Sequence, residues 1–193
     1  RRLTKIKKIG HSGTLDPFAT GVLALAFDEA TKSIQFLSSI KEYDFEVTFG
    51  ETRDTDDVTG NVIESNNVYP SLDSINSCIM TFIGTIDQVP PYYSAVKVEG
   101  QRAYKLAREG KTFELGSKKV EIFKFQCLAK TADNIYSLRV KCSSGTYIRS
   151  LARDIAEKLG CFAYVSSLRR TGIGKINEKN LISLDKFEEL VHI

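Results

Sequence analysis

The chain reads GHSGTLDPFATG over residues 10–21, between a basic arm and an apolar run. Glycine has no Cβ, so a loop with three glycines lets its backbone approach a ligand closely or adopt a positive φ. Such a loop can hold the one carboxylate of this segment, Asp16, at the floor of a pocket. Asp16-Pro17 is also a helix-start signal, with aspartate as the N-cap and proline at the first helical position. Residues 20–22 (Thr-Gly-Val) make a poor helix interior, which weakens that alternative.

Composition is typical of an ordinary soluble globular protein. The 193 residues, 42% hydrophobic and 26% charged, suffice for one good-sized domain or a domain with an insertion. The formal net charge of +3 does not by itself indicate a nucleic-acid-binding protein. Clustered cations nevertheless attract phosphates, although each cluster taken alone can equally be a solvated face. The clusters are Arg1, Arg2, Lys5, Lys7 and Lys8; Lys97, Arg102, Lys105, Arg108 and Lys111; and Arg149, Arg153, Arg169 and Arg170.

Cysteine and histidine spacing predicts no metal site. The four cysteines form no C-x-x-C pair, and the two histidines add no zinc spacing. Asp54 and Asp56 suggest a calcium loop, but Val58 and Thr59 stand where an EF-hand needs a ligand and a glycine. Scattered single cysteines are typical of reduced thiols in a cytoplasmic protein. No apolar run approaches the ~20 residues of a membrane helix, and no signal peptide opens the chain.

Hydrophobic patterning predicts an α+β fold with a mixed, largely antiparallel sheet. Alternation over residues 43–49 indicates a half-buried strand, with residues 61–64 as its expected partner. Residues 92–116 are polar, basic and aromatic, which predicts an insertion with a short helix at its middle. Further strands are predicted over 22–27 (buried), 84–88, 120–128 and 135–142, and helices over 29–37, 71–83, 103–108, 146–159 and 184–191.

The helix predicted over residues 146–159 has Thr146 as its expected cap and Gly160 as its end. Asp154 and Lys158 are predicted to pair one turn apart. Apolar residues recur at every fourth position, which gives one buried stripe made of Tyr147, Leu151, Ile155 and Leu159.

Three residues are candidates for one site: Asp16, Tyr43 and Arg149. Asp16 is equally explained as a cap, and Tyr43 as the first aromatic residue of a core strand face. Arg149 lies off the apolar stripe of its helix, where a solvated charge is the ordinary interpretation. Sequence spacing does not bring the three together, so only the fold can decide.

Residues 10–21 resemble the G-H-x-G-x-L-D-P-x-A-x-G motif of the TruB family of tRNA pseudouridine synthases. The likeness continues, in the family's order, through nearly the whole chain. It implies a pseudouridine synthase fold, flanked by helices, in which the basic insertion is thumb-like. The other matching segments are DEATK at 28–32, the Tyr43 strand with its G-x-T-x-x-T-x-D-x-x-G continuation at 43–60, QVPPYYSAVK at 88–97, CSSGTYIR at 142–149 and LRRT at 168–171.

The resemblance implies a role for each matched residue. Asp16 would be the catalytic aspartate, and Arg149 would pair with it and hold it ionised and oriented. Tyr43 would stack on the target base and serve in removing the proton from C5. Tyr147 would line the pocket, and His11 would occupy space near the extruded nucleotides without acting as an acid or base. The other substrate-binding residues implied are Gly13, Lys32, Lys97, Arg102 and Leu168.

The implied reaction converts the T-loop uridine of tRNA, position 55, to pseudouridine. The N-glycosidic bond breaks, the base rotates, and it rejoins the ribose through C5. The base must first leave the stack, and a carboxylate can act as a nucleophile, at either C1′ or C6. The implied enzyme is a cytoplasmic monomer that binds the tRNA T stem-loop in a salt-sensitive way. It would need no cofactor, metal, membrane or obligate protein partner.

Two departures from the family pattern concern the ends of the chain. The family's K-P-x-G-x-S/T-S segment has no counterpart upstream of the basic arm, and the first residue is not Met. We therefore expect the chain to begin inside a longer polypeptide. Residues 1–193 would form one catalytic domain without a C-terminal RNA-binding domain, and would bind tRNA less well than a complete member.

Two other functions are compatible with the residues alone. A carboxylate-based glycoside hydrolase needs two carboxylates about 5 Å apart in its retaining form, and the glycine-rich loop offers only Asp16. A non-catalytic RNA-binding module or RNA chaperone would use the basic insertion but would not depend on Asp16. Isomerisation of uridine without release of the base would exclude hydrolysis.

Overall fold

The structure, a computed structural model, describes residues 3–191. Its helices are α1 (Leu72–Met80), α2 (Ala103–Arg108), α3 (Ile148–Lys158) and α4 (Leu184–Val191), and 3₁₀ segments cover Asp28–Phe36 and Glu178–Asn180. Its strands are β1 (Ile9–His11), β2 (Thr20–Gly21), β3 (Leu25–Phe27), β4 (Lys41–Phe49), β5 (Glu51–Arg53), β6 (Val62–Ser65), β7 (Gly84–Gln88), β8 (Lys97–Val98), β9 (Gln101–Arg102), β10 (Lys118–Ala132), β11 (Ile135–Cys142), β12 (Ala163–Ile173) and β13 (Ile176–Asn177). None of the helices in this part of the chain is long and apolar enough to cross a membrane.

The main sheet of the described chain has the order β13-β12-β4-β11-β10-β7. Every neighbouring pair on this path is antiparallel, whereas β2 lies parallel to β12 beside it. Short antiparallel pairs also join β1 to β3, β5 to β6 and β8 to β9. The predicted α+β fold with a mixed, largely antiparallel sheet is confirmed.

One face of the sheet forms the core. On β4 the side chains of Tyr43, Phe45, Val47 and Phe49 are buried, as the alternation predicted. Burying one Phe or Val side chain contributes about 1.5–3 kcal/mol, so this strand alone anchors much of the core. Helices α1 and α3 supply further side chains of the same core cluster, namely Ile75, Cys78, Ile79, Ile148, Leu151, Ala152, Ile155 and Ala156.

The opposite side chains of β4 are polar; Glu42, Asp44 and Glu46 are half-buried, and Thr48 is buried. Asp44 accepts two hydrogen bonds of 2.6 Å from Nε and Nη2 of Arg139 on the neighbouring strand β11. A polar outer face opposite an apolar inner face is the usual pattern of an antiparallel sheet with one solvated side. The functional groups described below therefore collect on the inner face and at its edge.

Two strand predictions are wrong. Residues 61–64 do not pair with β4, because β11 and β12 already flank it; the observed strand β6 pairs with β5 instead. Residues 22–27 are not a buried strand: only Leu25–Phe27 is extended, and Leu25 is 49% exposed. Strand β3 pairs with β1 in a separate two-stranded sheet, outside the main sheet.

The helical segments lie where they were predicted, but some of their end residues and one helix type differ. Ser71 caps α1 by accepting a hydrogen bond from Ser74 N, but the helix ends at Met80 rather than at residue 83. Residues 28–36 form a 3₁₀ segment instead of an α-helix. Apolar residues Leu151 and Ile155 of the predicted stripe are fully buried.

Two side-chain predictions for α3 are wrong. Asp154 binds Arg153, its chain neighbour, while Lys158 Nζ donates to Thr81 Oγ1 on the segment after α1. Thr146 is not the cap, because its hydroxyl donates back to Ser143 O and Tyr147 occupies the N-cap position without a capping side chain.

The predicted insertion contains the expected short helix, α2, preceded by the β8–β9 hairpin. Its two ends are joined by the rings of Tyr92 and Phe113, which stack with centroids 4.1 Å apart. The boundaries of the insertion and the division of residues 1–193 into domains stay predictions.

Candidate active site

Asp16 lies at a tight turn, not at a helix start. Its carbonyl accepts a 2.9 Å hydrogen bond from Ala19 N, so residues 16–19 form a β-turn with Pro17 at the second position. The next helical segment begins only at residue 28, so the N-cap alternative is wrong. The turn lies in the loop between β1 and β2.

Gly21 fixes this loop to the main sheet. A Cβ at Gly21 would lie 2.2 Å from Arg170 O, and its φ of +100° also favours glycine. This close approach lets Val22 N donate a 2.7 Å hydrogen bond to Arg170 O on β12. The carboxylate of Asp16 is therefore held on a loop attached to the rigid sheet.

Arg149 grips Asp16 with a planar fork. Nε of Arg149 lies 2.9 Å from Asp16 Oδ2, and Nη2 lies 2.9 Å from Oδ1. The side chain of Arg149 is 5% exposed, whereas that of Asp16 is 29% exposed. A bidentate pair of this kind is both strong and directional. The pairing of these two residues, which the resemblance implied, is confirmed, and one side of the carboxylate stays open to a ligand.

The remaining donors of Arg149 are also directed at acceptors. Nη1 donates to Thr55 O at 2.8 Å, and Nη2 donates to Tyr93 O at 3.2 Å. A second carboxylate, Asp57, lies 3.6 Å from Nη1 and is itself buried. Because every edge of the guanidinium is occupied, the side chain cannot rotate without breaking several contacts.

Asp57 completes this arrangement from its own loop. Its Oδ1 accepts hydrogen bonds from Thr55 Oγ1 at 2.8 Å and from the backbone and hydroxyl of Thr59 at 2.9 and 2.5 Å. Its Oδ2 faces Arg149. Asp57 therefore balances the buried guanidinium and is not available to a substrate.

Gln88 fixes the start of α3, from which Arg149 projects. Its amide accepts a 2.8 Å hydrogen bond from Tyr147 N and donates a 3.1 Å bond to Tyr147 O. Gln88 is fully buried, so both of its polar groups depend on this contact. Ser150 Oγ adds a 2.7 Å bond to Val89 O. These contacts replace the missing helix cap.

Two tyrosines lie beside the carboxylate. Tyr43 is 7% exposed; burial raises the pKa of its hydroxyl, and the neighbouring Arg170 guanidinium partly offsets that rise. Burial likewise raises the pKa of Tyr147, which Ser94 and Arg149 partly offset. The charge of Asp16 raises both pKa values further. The two phenols are therefore neutral and lie close enough to Asp16 for its charge to act on them.

Three further predicted residues, His11, Leu168 and Gly13, lie on β1, on β12 and in the glycine-rich loop. His11 is exposed and accepts a hydrogen bond at Nδ1 from Gly13 N. Leu168 is 5% exposed and stands opposite Phe45 in the sheet. Gly13 has a φ of +122°, so its backbone adopts a conformation that side chains disfavour.

The other three predicted residues are exposed. Lys32 pairs with Glu29 on the 3₁₀ segment. Lys97 and Arg102 face each other across the β8–β9 hairpin, and Arg102 Nη1 donates to Ala95 O. No contact among residues 3–191 ties these three side chains to Asp16, so their part in binding a substrate stays a prediction.

Sequence reasoning assigned no role to four residues that build the site: Lys41, Asp57, Gln88 and Arg170. Three of them lie inside the quoted motif segments. Polar residues that recur at fixed places in such motifs were the available signal. Lys41 carried none, because it looks like an ordinary surface charge at a strand start.

The described chain is similar to solved structures of one fold. It matches a chain of the "Crystal Structure of a Cbf5-Nop10-Gar1 Complex" with a TM-score of 0.72 and 29% identity, over 97% of this chain and 47% of that one. It also matches a chain of the archaeal box H/ACA sRNP Nop10-Cbf5 complex with a TM-score of 0.69 and 25% identity, over 99% and 47%. The chain has the pseudouridine synthase fold.

Sequence comparisons identify the family. The model described as TruB family pseudouridylate synthase (N terminal domain) matches residues 1–148, and the tRNA pseudouridylate synthase B C-terminal domain model matches residues 149–193. The chain therefore belongs to the TruB family of pseudouridylate synthases.

Curated relatives have similar sequences along almost the whole chain. The tRNA pseudouridine synthase B of Ehrlichia ruminantium (strain Gardel) is 44% identical over 98% of this chain and 65% of its own length. The protein of that name from Anaplasma marginale (strain St. Maries) is 46% identical over 95% of this chain and 60% of its own. The chain thus spans about three fifths of the length of these relatives.

Proposed function

We propose that this chain is a tRNA pseudouridine synthase, an isomerase that converts the T-loop uridine at position 55 of tRNA to pseudouridine. The observation that carries the proposal is the half-open carboxylate of Asp16 in the fork of buried Arg149. The curated relatives named tRNA pseudouridine synthase B support the choice of tRNA.

In the proposed reaction Asp16 is the nucleophile. A carboxylate can attack carbon only when it is ionised, and the fork of Arg149 stabilises the ionised form and fixes its orientation. Each carboxylate oxygen has two lone pairs, and the fork uses one on each. The remaining lone pairs serve an attack on C1′ of the ribose or on C6 of the base.

The flipped uridine stacks on Tyr43 in this proposal. Flipping a base costs a few kcal/mol, and stacking on an aromatic ring offsets part of that cost. After the base has rotated and rejoined through C5, Tyr43 serves in removing the C5 proton in this proposal, its oxygen accepting that proton as the hydroxyl gives its own to solvent. Burial raises the pKa of that hydroxyl, and the nearby guanidinium of Arg170 offsets part of the rise.

The proposal requires neither a metal or cofactor nor a protein partner, because each group that it uses belongs to this chain. We place the enzyme in the cytoplasm as a monomer. His11, Tyr147, Gly13, Leu168, Lys32, Lys97 and Arg102 are proposed to contact the RNA. The basic insertion would grip the stem-loop from one side.

A glycosidase gains no support from the site. The carboxylate nearest to the Asp16 pair is Asp57, which is buried on another edge of the same guanidinium. A bond flanked by two accessible carboxylates does not fit between them.

Tritium release from [5-³H]uridine in an unmodified tRNA transcript tests the proposed function. The expected result is release from the normal transcript and none from a transcript with cytidine at position 55. Isolation of free uracil would indicate hydrolysis instead. RNA binding without any release would favour the non-catalytic RNA-binding module.

A further inference from the structure

Lys41 is a cation that is largely removed from water. It begins β4 and is 8% exposed. Burial, together with the charges of Arg170 and Lys118, lowers the pKa of its ammonium group. No salt bridge within residues 3–191 includes Lys41. Lysine is almost never this buried unless it is paired, because removing its charge from water is costly.

Arg170 is a second buried cation, and one of its nitrogens has no partner. Its Nε donates to Val22 O at 2.7 Å, and its Nη2 donates to Gly13 O at 3.1 Å. Its Nη1 is buried and makes no hydrogen bond of normal geometry in the described part of the chain, although the guanidinium lies close to the Tyr43 hydroxyl. Such orphaned donors are rare in folded proteins and call for an explanation.

The two cations meet at Gly13. A Cβ on Gly13 would lie 2.7 Å from Lys41 Nζ and 3.9 Å from Arg170 Nη1. The absence of that Cβ lets both nitrogens approach the same point above the loop backbone. Two like charges held side by side repel each other, so this arrangement is stable only at a cost unless an anion lies between them.

No carboxylate among residues 3–191 forms a salt bridge with Lys41 or Arg170. Asp16, the carboxylate of this pocket, is already bound at both oxygens by Arg149. Lys118 adds a third cation nearby, with its Nζ 4.8 Å from the ring centroid of Tyr147. The pocket around the tyrosines therefore has a surplus of positive charge.

We propose that Lys41 binds one phosphodiester group of the RNA backbone next to the nucleotide that enters the pocket, and that the buried charge of Arg170, beside Gly13, adds to the attraction. The identity of that RNA rests on the proposed function. Tyr43 and Arg170 are paired across β4 and β12, so a nucleotide stacked on Tyr43 brings an adjoining phosphate to these cations. Lysine and arginine are the usual partners of phosphate, and extrusion of a nucleotide delivers its phosphates along with the base.

The test couples a protein change to an RNA change. Binding is measured in an Asp16→Asn background, which keeps the RNA unconverted, with a synthetic T stem-loop. One set of RNAs carries a single uncharged methylphosphonate at the linkage 5′ or 3′ to the target uridine. The protein variant is Lys41→Met, and the control is Lys124→Met at an exposed lysine of β10.

We expect Lys41→Met to weaken binding of the unmodified stem-loop about tenfold, and one methylphosphonate to weaken the parent protein similarly. Combined, the two changes should cost no more than either alone. The slope of log Kd against log salt should fall by about 0.7–0.9 with Lys41→Met. Lys124→Met should show none of this coupling, and Lys41→Arg should restore part of the affinity.

Two results would overturn the phosphate site. One is unchanged affinity of Lys41→Met; the other is independent effects of the two changes at both linkages. Competition by inorganic phosphate at constant ionic strength, without any coupling to a methylphosphonate, would indicate a site for free phosphate instead.

Stability separates a binding role from a structural one. Removal of an unpaired buried charge should leave the unfolding temperature of Lys41→Met unchanged or raise it, whereas a structural lysine would lower it. Coupling without tritium release by the wild-type chain would keep the phosphate site and overturn the proposed reaction. Release together with independent effects would overturn the phosphate site alone.

Discussion

Two buried arginines border the same pocket, and their surroundings are opposite. Arg149 contacts two carboxylates and two carbonyl oxygens. Among residues 3–191, Arg170 contacts two carbonyl oxygens and no carboxylate, and its Nη1 makes no hydrogen bond of normal geometry. The hydrogen-bond donors of Arg149 are therefore satisfied by groups of this chain, and Arg149 orients a reacting group. Arg170 and the neighbouring Lys41 have no carboxylate partner among residues 3–191, so their positive charge is suited to attracting an anionic ligand. The comparison divides the pocket into a part for chemistry and a part for binding.

Arg149→Lys should lower the rate of the reaction and leave the affinity for tRNA nearly unchanged. Lysine keeps the charge but loses the planar fork, so the carboxylate of Asp16 is no longer held in one orientation. We expect kcat to fall about a hundredfold or more, since a displacement of about 1 Å can cost that much. The Kd for tRNA should change less than about threefold. Single-turnover tritium release and equilibrium binding measure the two quantities.

The opposite split would contradict this division of the pocket. If Arg149→Lys weakened tRNA binding and left kcat unchanged, Arg149 would belong to the binding part. An exposed matched control is Arg108→Lys on α2, which should leave kcat unchanged.

Gln88→Met should loosen the element that carries Arg149. The change leaves Tyr147 N without an acceptor in a buried place, which costs about 1–3 kcal/mol of unfolding free energy. Urea unfolding measures the loss, with Gln126→Met, an exposed glutamine of β10, as the control. Equal stability of the two variants would mean that the start of α3 is held without Gln88.

Asp56→Asn tests a buried carboxylate that lies near Arg149 and Arg153. Burial raises the pKa of Asp56 to about 6, although Arg153 and Arg149 partly offset this. Because the folded-state pKa lies above the unfolded value of 3.8, the stability that Asp56 contributes is complete below about pH 4 and is lost as the pH rises through 6.

The asparagine variant stays neutral and should therefore lose less stability than the wild type between pH 4 and pH 6. The difference should be on the order of 1–3 kcal/mol. Urea unfolding across this range measures it, with Asp133→Asn at an exposed turn as the control. Parallel pH profiles of wild type and Asp56→Asn would show that the fold does not raise the pKa of Asp56.

The sequence predicted the elements that have regular patterns. The alternation along β4 predicted its buried face, and the composition of residues 103–108 predicted α2 with the observed bounds. It did not predict β12, which lies next to β4 in the main sheet. Its sequence, AYVSSLRRTGI, mixes buried and exposed side chains irregularly because the pairing with β4 shifts register twice.

The site was predictable where a family motif named a residue and unpredictable where burial decides. Asp16 and Arg149 are far apart in sequence, and their pairing followed from the resemblance rather than from spacing. Periodicity placed Arg149 off the apolar stripe and suggested a solvated charge, yet it is buried. Periodicity does not detect a buried charge whose partners come from three other segments. Lys41 was not predicted for the same reason, since the sequence does not show which lysines are buried without a carboxylate partner.

The central claim is that Asp16, held by Arg149, is the nucleophile. Single-turnover tritium release with Asp16→Asn tests it most directly, alongside Asp133→Asn as an equal change at an exposed carboxylate. We predict that Asp16→Asn lowers the rate at least ~10³-fold while tRNA binding stays within about threefold of the wild type. Asp133→Asn should react at the wild-type rate. Comparable release by Asp16→Asn and wild type would contradict the account.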